Sequence, residues 1–373
     1  MDVREIERRY AAVRSELAAA EVEALVVSGS EYTGFDGAVL YLSGFRIVHR
    51  YAYVLLPLEG EPAIVFPSEA RYVGLHEGSW IEERAFADTP GEWLRERLAG
   101  ARRVGVYGLD YVLNVRDYRA LAEGGFALVP FDEAFDRARA VKSAAELAGV
   151  REAVRINEEG FREVLRAYAP GKTEAEIMAP AAARFLELGT GRHAMNMVLA
   201  PGPPGGARPE FVIPSETRRV AEDDLLLYSL EIGGPSGHWA EVSRPIMAGR
   251  PSRETGAMLE AYGEYAEAAR AALRDGATAH DVHSACSKPF RRRRFSLGHV
   301  TGHSIGMTMI EHPRIGEGNE TVLREDMVVS LHPHAIAADG SCLYMQETWR
   351  VGAEGGEQLS TLDVKIFDGS EPA

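Results

Sequence analysis

A chain of 373 residues, 46% hydrophobic and 26% charged, is long enough for two domains with buried cores. Its 56 acidic against 41 basic side chains, a formal net charge of −15, argue against nucleic acid as a partner. No apolar run approaches the roughly 18 residues of a membrane span. Only two cysteines occur, Cys286 and Cys342, and neither lies in a CxxC. A disulfide framework or thiolate zinc knot is therefore not expected, and both read as small buried residues. The opening stretch MDVREIERRYAAVRSEL patterns as a charged helix rather than a signal peptide, so a cytoplasmic setting is expected.

In chain order, residues 2–20 predict a helix. Short β-rich runs follow at 24–29, 38–45, 51–58, 62–67, 103–108 and 127–131, with helical stretches at 91–98 and 115–123. Strands mixed with helices predict an α/β layer domain over 1–140. It contains no GxGxxG and no GxxxxGK and reads as scaffold. A second unit, 141–373, opens on an amphipathic helix: Leu147, Val150, Val154, Phe161, Val164, Leu165 and Tyr168 recur at three- and four-residue steps. Pro170-Gly171 stops it, and Thr173 to Glu176 supplies a capping box for the next helix.

The arrangement recurs. Gly171 to Ile177 is echoed by Gly276 to Val282, each after a long helix and opening another. Downstream of each lies a strand pair, 225–234 with 238–249 and 327–336 with 342–352. This predicts a duplicated helix–helix–hairpin unit related by a pseudo-twofold. Equivalent positions then converge. Ser229-Leu230-Glu231 matches Ser330-Leu331-His332, and Glu241 matches Glu347. An ionisable residue inside an apolar strand is expensive unless paired or binding something, so these four groups imply a shared polar centre. His303, flanked by glycines in LGHVTGHSIGM, is the fifth member, with His299 close by.

The second unit resembles the pita-bread fold family of methionine aminopeptidase, proline-specific aminopeptidase, prolidase and creatinase. The resemblance rests on RAVKSAAELAGVREAVRINEEG (139–160), APGKTEAEI, EIGG…GHWAEVSRP, GHVTGHSIGM…EHPRI and QETWRVG. The first unit, with LYLSGF, resembles the creatinase-type N-terminal domain. The fold expected is therefore α/β (α+β), a creatinase-type domain followed by a pita-bread domain. The family's peptidases hold two divalent metals with Asp, Asp, His, Glu and Glu. Carried over by position, the ligands fall on Glu231, Glu241, His303, His332 and Glu347. Placing Glu231 there requires a hairpin turn one residue shorter; otherwise Leu230 takes the position. The family's peptidases also carry a histidine shortly before the first ligand strand, where 206–215 has none, and another where this chain has Ile310. With His332 replacing a catalytic Glu, these departures argue against ordinary cleavage at a peptide N-terminus. Creatinase shows the same fold working without metal, a histidine serving as acid/base and carboxylates holding a guanidinium substrate.

Three glutamates and two histidines crowded together cannot all stay ionised. A divalent zinc, manganese or iron resolves the conflict, and so does a cationic substrate; both alternatives stand. Without metal, His303 and His332 are the natural acid/base pair, the unperturbed histidine pKa being about 6.5. Glu241 and Glu347 then position substrate. Glu231, His299 and His312 are candidate substrate contacts. In creatinase-like homodimers the first domain reaches the partner's active site, which makes Arg46, His49 and Arg50 candidate clamps. The function expected is hydrolysis of a C–N bond in a small nitrogenous, cationic or dipeptide substrate, by a homodimer. A lyase on the same fold and a binding module that keeps the cleft are the alternatives. His193, Trp239 and the arginine run 291–294 are expected to be bystanders, and His334 could turn either way.

Overall fold

The computed structural model describes residues 2–31, 35–72, 78–190, 194–200 and 209–369. They fall into two compact units, Met1–Arg139 and Ala140–Ala373.

The first unit runs α1 (Val3–Ala19), β1 (Ala24–Ser30), α2 (Gly37–Ser43), β2 (Tyr51–Pro57), β3 (Ala63–Pro67), β4 (Glu83–Ala87), α3 (Pro90–Arg97), β5 (Arg103–Tyr107), α4 (Val115–Ala122), β6 (Ala127–Pro130) and α5 (Asp132–Ala138). The strands form one mixed sheet in the order β4-β3-β2-β1-β5-β6. Its central strand β1 is buried along its whole length, which explains its unbroken apolar run. Val26, Tyr53, Leu55, Val65, Leu94, Val104 and Leu121 form one core beneath it. The run 38–45, expected as strand, is instead the buried helix α2, closed by Gly44 at φ 68°. A short, wholly apolar segment has no periodicity to separate the two states, and the left-handed glycine cap was the signal that favoured helix.

The second unit contains α6 (Ala144–Ala167), α7 (Glu174–Glu187), β7 (Ala194–Ala200), β8 (Glu210–Val212), β9 (Tyr228–Gly233), β10 (Trp239–Glu241) and β11 (Ile246–Met247). It continues through α8 (Arg253–Ala272), α9 (Ala279–Arg292), β12 (Ser296–Leu297), β13 (Gly302–Ser304), β14 (Glu311–Ile315), β15 (Val328–Leu331), β16 (His334–Ile336), β17 (Cys342–Tyr344) and β18 (Glu347–Arg350). Capping boxes at Thr173 and Thr278 open α7 and α9, each satisfying two otherwise unpaired helix donors. The loops before them turn at Gly171 and Gly276, with φ of 90° and 82°. Each half has its own core. One packs α6 and α7 on β9 and β10 through Val154, Ile177, Phe185 and Leu230; the other packs α8 and α9 through Met258, Tyr262, Val282 and Leu331. The second hairpin is broken. β15 pairs with β18 and β16 with β17, in separate sheets, so the chain bends at His332-Pro333 and at Met345-Gln346. An isolated bridge between Ser243 and Gln346 joins the two halves there.

Candidate active site

In β9 and β10, Glu231 lies directly opposite Glu241. Side chains alternate along a strand, so Ser229 and Glu231 share one face and Leu230 takes the other. Leu230 is fully buried in the core, and Glu231 lines a cavity of about 710 Å³ with Glu241. Asn157 of α6 holds the pair in register, its Nδ2 donating to the carbonyls of Leu230 (2.8 Å) and Ala240 (3.2 Å).

The second half delivers its groups by the same alternation. His303 of β13 pairs with Ser330 of β15, which pairs with Thr348 of β18. Residues two steps along, His332 and Gln346, extend this face past the strand ends. Ser330 Oγ donates to Glu241 Oε2 at 2.7 Å, and Thr348 Oγ1 accepts from Glu241 N at 3.0 Å. Glu347 lies on the opposite face, in register with the core residue Leu331. Its carboxylate pairs there with the buried Arg244 guanidinium and takes the Ser360 hydroxyl at 2.6 Å. Glu347, expected as a ligand, is thus not brought to the cluster; Gln346 points there in its place. Gln346 Nε2 donates to Glu231 Oε1 (2.9 Å) and Glu241 Oε2 (3.2 Å), and its Oε1 accepts from Leu230 N (3.1 Å).

Burial pushes Glu231 up to about 7, the facing Glu241 charge adding to the effect, and pushes Glu241 to about 7 as well. Burial lowers His303, and burial with two histidine neighbours holds His332 well below the ordinary value, so both imidazoles are neutral. His303 Nδ1–H donates to the Ser304 carbonyl at 3.0 Å, which leaves Nε2 as a lone-pair donor facing Glu241. His303 Nε2 lies 3.5 Å from Glu241 Oε1 and His332 Nε2 lies 3.9 Å from Glu241 Oε2. The three groups offer ligand atoms within 4.8 Å of one another, all buried. Such spacings exceed a good charge-assisted hydrogen bond but suit donors sharing one cation, so these residues fit a divalent metal.

The remaining expected residues disperse. His299 lines the cavity, its ring centroid 5.0 Å from that of His332. His312 is exposed on β14 and is not among the residues lining the cavity. His334 is buried against Tyr344, and burial lowers it to about 4. Arg46 and His49 belong to the first unit, where Arg46 is half-buried and His49 Nδ1 lies 3.6 Å from Glu31. Trp239 packs in the core. Arg292 and Arg293 pair with Glu264 of α8. His193 lies outside the described residues.

Four residues of the site were not anticipated. Gln346 was passed over for its acidic neighbour, though strand alternation allows only one of the two to face inward. Arg244 and Ser330 sit beside expected residues and show nothing in their spacing. Arg314 of β14 is opposite His303, exposed, and lines the cavity; among the described residues no carboxylate pairs with it.

Residues 148–359 match metallopeptidase family M24, and residues 9–141 match the creatinase/prolidase N-terminal domain. The chain is 26% identical over 339 residues to "Probable dipeptidase PepE" of Mycobacterium tuberculosis, covering 87% of this chain and 86% of that one. It is 23% identical to "Xaa-Pro dipeptidase" of Pyrococcus horikoshii, covering 88% and 92%. The crystal structure of the Pyrococcus horikoshii prolidase superposes with a TM-score of 0.82 at 20% identity, covering 96% of this chain and 99% of that one.

Proposed function

This chain belongs to metallopeptidase family M24, and on that premise we propose that it hydrolyses the C–N bond of a small dipeptide-like substrate carrying a free carboxylate. The observation that carries the reading is the convergence of Glu241, His303 and His332 in a cavity also lined by Arg314, whose guanidinium has no carboxylate partner among the described residues. The names of its dipeptidase relatives point to the same substrate class. A volume of about 710 Å³ suits a molecule of one or two residues rather than a folded chain.

Glu241, His303 and His332 would hold a divalent metal, which when bound polarises a scissile carbonyl and acidifies a water. Hydrolysis adds the oxygen of water to the carbonyl carbon and a proton to the leaving nitrogen. Among the described residues the hydrogen bonds to Glu231, from Ser229 and Gln346, fall on Oε1, and the residue lines the cavity, which leaves Oε2 as the oxygen for proton transfer. Glu231 therefore takes the proton of the attacking water and passes it to the nitrogen. His303 and His332, expected above as the acid/base pair, serve here as neutral donors. Arg314 binds the substrate carboxylate at the rim through charge-assisted hydrogen bonds. Phe211, Tyr344, Leu297 and Met309 supply an apolar wall for the side chain.

The test is turnover of a dipeptide panel by the chain supplied with manganese, zinc or cobalt, each dipeptide beside its C-terminal amide. Free dipeptides should be cleaved and amides should not. Arg314→Ala should raise KM about 10- to 100-fold, the worth of a hydrogen bond to a charged group, with a smaller change in kcat. Equal cleavage of acid and amide would remove the carboxylate specificity. No hydrolysis of any member with metal retained would remove the peptidase reading.

A further inference from the structure

We propose that Gln346 stands where a second cation would otherwise sit, and so limits the centre to one divalent ion held by Glu241, His303 and His332. The inference rests on the metallohydrolase reading above and deepens it.

Glu231 and Glu241 face each other across β9 and β10, both almost wholly buried. Two buried carboxylates facing each other need protons, cations or hydrogen-bond donors between them. The chain supplies donors. Gln346 Nε2 reaches an oxygen of each carboxylate, at 2.9 and 3.2 Å, so its two hydrogens fill the space that a bridging ion would take. An amide NH2 has no lone pair to give a metal. Turning the amide over would offer Oε1 instead, but would set the NH2 group against Leu230 N–H, which now donates to Oε1 at 3.1 Å. That would leave a buried donor unsatisfied. The backbone of Gln346 is held as well, its carbonyl accepting from Arg244 Nη1 at 2.7 Å and its N–H donating to Ser243 O at 3.3 Å.

The hydroxyls complete the screen. Ser229 donates to Glu231 Oε1 at 2.5 Å and Ser330 to Glu241 Oε2 at 2.7 Å. Among the described residues Glu241 Oε1 is left without such a donor, and it is the oxygen beside His303 Nε2. Glu347 cannot take the place of Gln346, because it lies on the other face of the strand with Arg244. Glu231 stands outside the cluster of mutually close ligand atoms, its Oε2 kept for the proton transfer above, so one carboxylate and two imidazoles remain, a donor set that holds one ion and leaves coordination positions open.

The chelator-stripped full chain is titrated with manganese and its metal-to-chain ratio read by plasma mass spectrometry after gel filtration, with electron paramagnetic resonance on the same samples. The wild-type chain and Glu231→Gln should each retain one ion and show isolated Mn(II). Gln346→Glu, which replaces the amide donor by a ligand, should retain two and show a spin-coupled pair. A wild-type chain that takes two ions or none would overturn the inference. So would loss of the ion in Glu231→Gln, or a folded Gln346→Glu that stays at one. Circular dichroism reports folding, and should Gln346→Glu fail to fold, the other two ratios decide. No substrate enters the measurement. One ion without hydrolysis would end the peptidase reading and leave this inference standing, and hydrolysis with two ions would do the reverse.

Discussion

Glu241 divides its carboxylate between two tasks. Oε2 accepts from Ser330 and Gln346, which fixes the group, and Oε1 is left to face His303. Removing either Oε1 or its imidazole neighbour removes a ligand, so Glu241→Gln and His303→Ala should each lose metal on gel filtration. Each should also lower kcat/KM by about 10³-fold or more, some 4 kcal/mol of transition-state stabilisation. The cysteines stand outside this chemistry. Burial pushes the Cys342 thiol up to about 12 and raises Cys286 further. A thiol with its pKa raised is un-ionised at pH 8, and the thiolate is the reactive form. Iodoacetamide should therefore label neither at pH 8 in the folded chain, and mass spectrometry should find Cys342 labelled only as the pH nears its raised value. Fast labelling at pH 8 would show that the thiol is not shielded.

At the scale of elements, the hairpin that carries Glu231 and Glu241 packs on α6, whose Asn157 side chain hydrogen-bonds to both of its strands. Asn157→Ala would leave two strand carbonyls without the amide that now reaches both, a loss of about 1–3 kcal/mol read by denaturant unfolding. It should weaken metal binding too, because the pair it aligns includes a ligand. Thr278→Ala breaks the capping box of α9, remote from that hairpin, and should cost about 1 kcal/mol while leaving metal content unchanged. Elements such as α7 and α9 were legible because a capping box is a local pattern, spelled within four residues. The helix α2 was misread as strand because its run is apolar on every side, and its one local signal for helix, the cap at Gly44, was passed over. The second hairpin was expected as one continuous pair, yet it splits at His332-Pro333, where the two sheets diverge.

In the molecule as a whole, each unit has a core of its own. Calorimetry should then resolve two transitions, and chelator should lower only the one belonging to residues 140–373. At a metal concentration of 100 Kd the linkage amounts to about 2.7 kcal/mol. A single transition that ignores chelator would contradict both the expected second transition and the metal site. Within the second unit, Lys142 Nζ and Glu311 Oε2 form a buried pair at 3.0 Å between distant segments, fastening the strand that bears Arg314. Lys142→Met should cost about 3–5 kcal/mol by stranding the carboxylate, and adding Glu311→Leu should recover most of it.

By itself the sequence determined the fold class and the family, because helix caps, apolar periodicity and glycine turns are short-range signals repeated twice along the second unit. It also brought Glu231, Glu241, His332 and Glu347 forward through the match between the two copies, and added His303 from its glycine-flanked segment. It did not determine which way the last strand faces. Gln346 and Glu347 are neighbours, both polar, and nothing within the strand separates inward from outward. That choice depends on the register with β15, which puts Glu347 on the side of Leu331, and on Arg244, which waits there to pair with it. Arg314 likewise reaches the cavity only because β14 lies beside β13, opposite His303. A one-residue slip of register exchanges the two faces of a strand. The charge and donors of the centre were therefore decided by contacts between residues far apart in the chain.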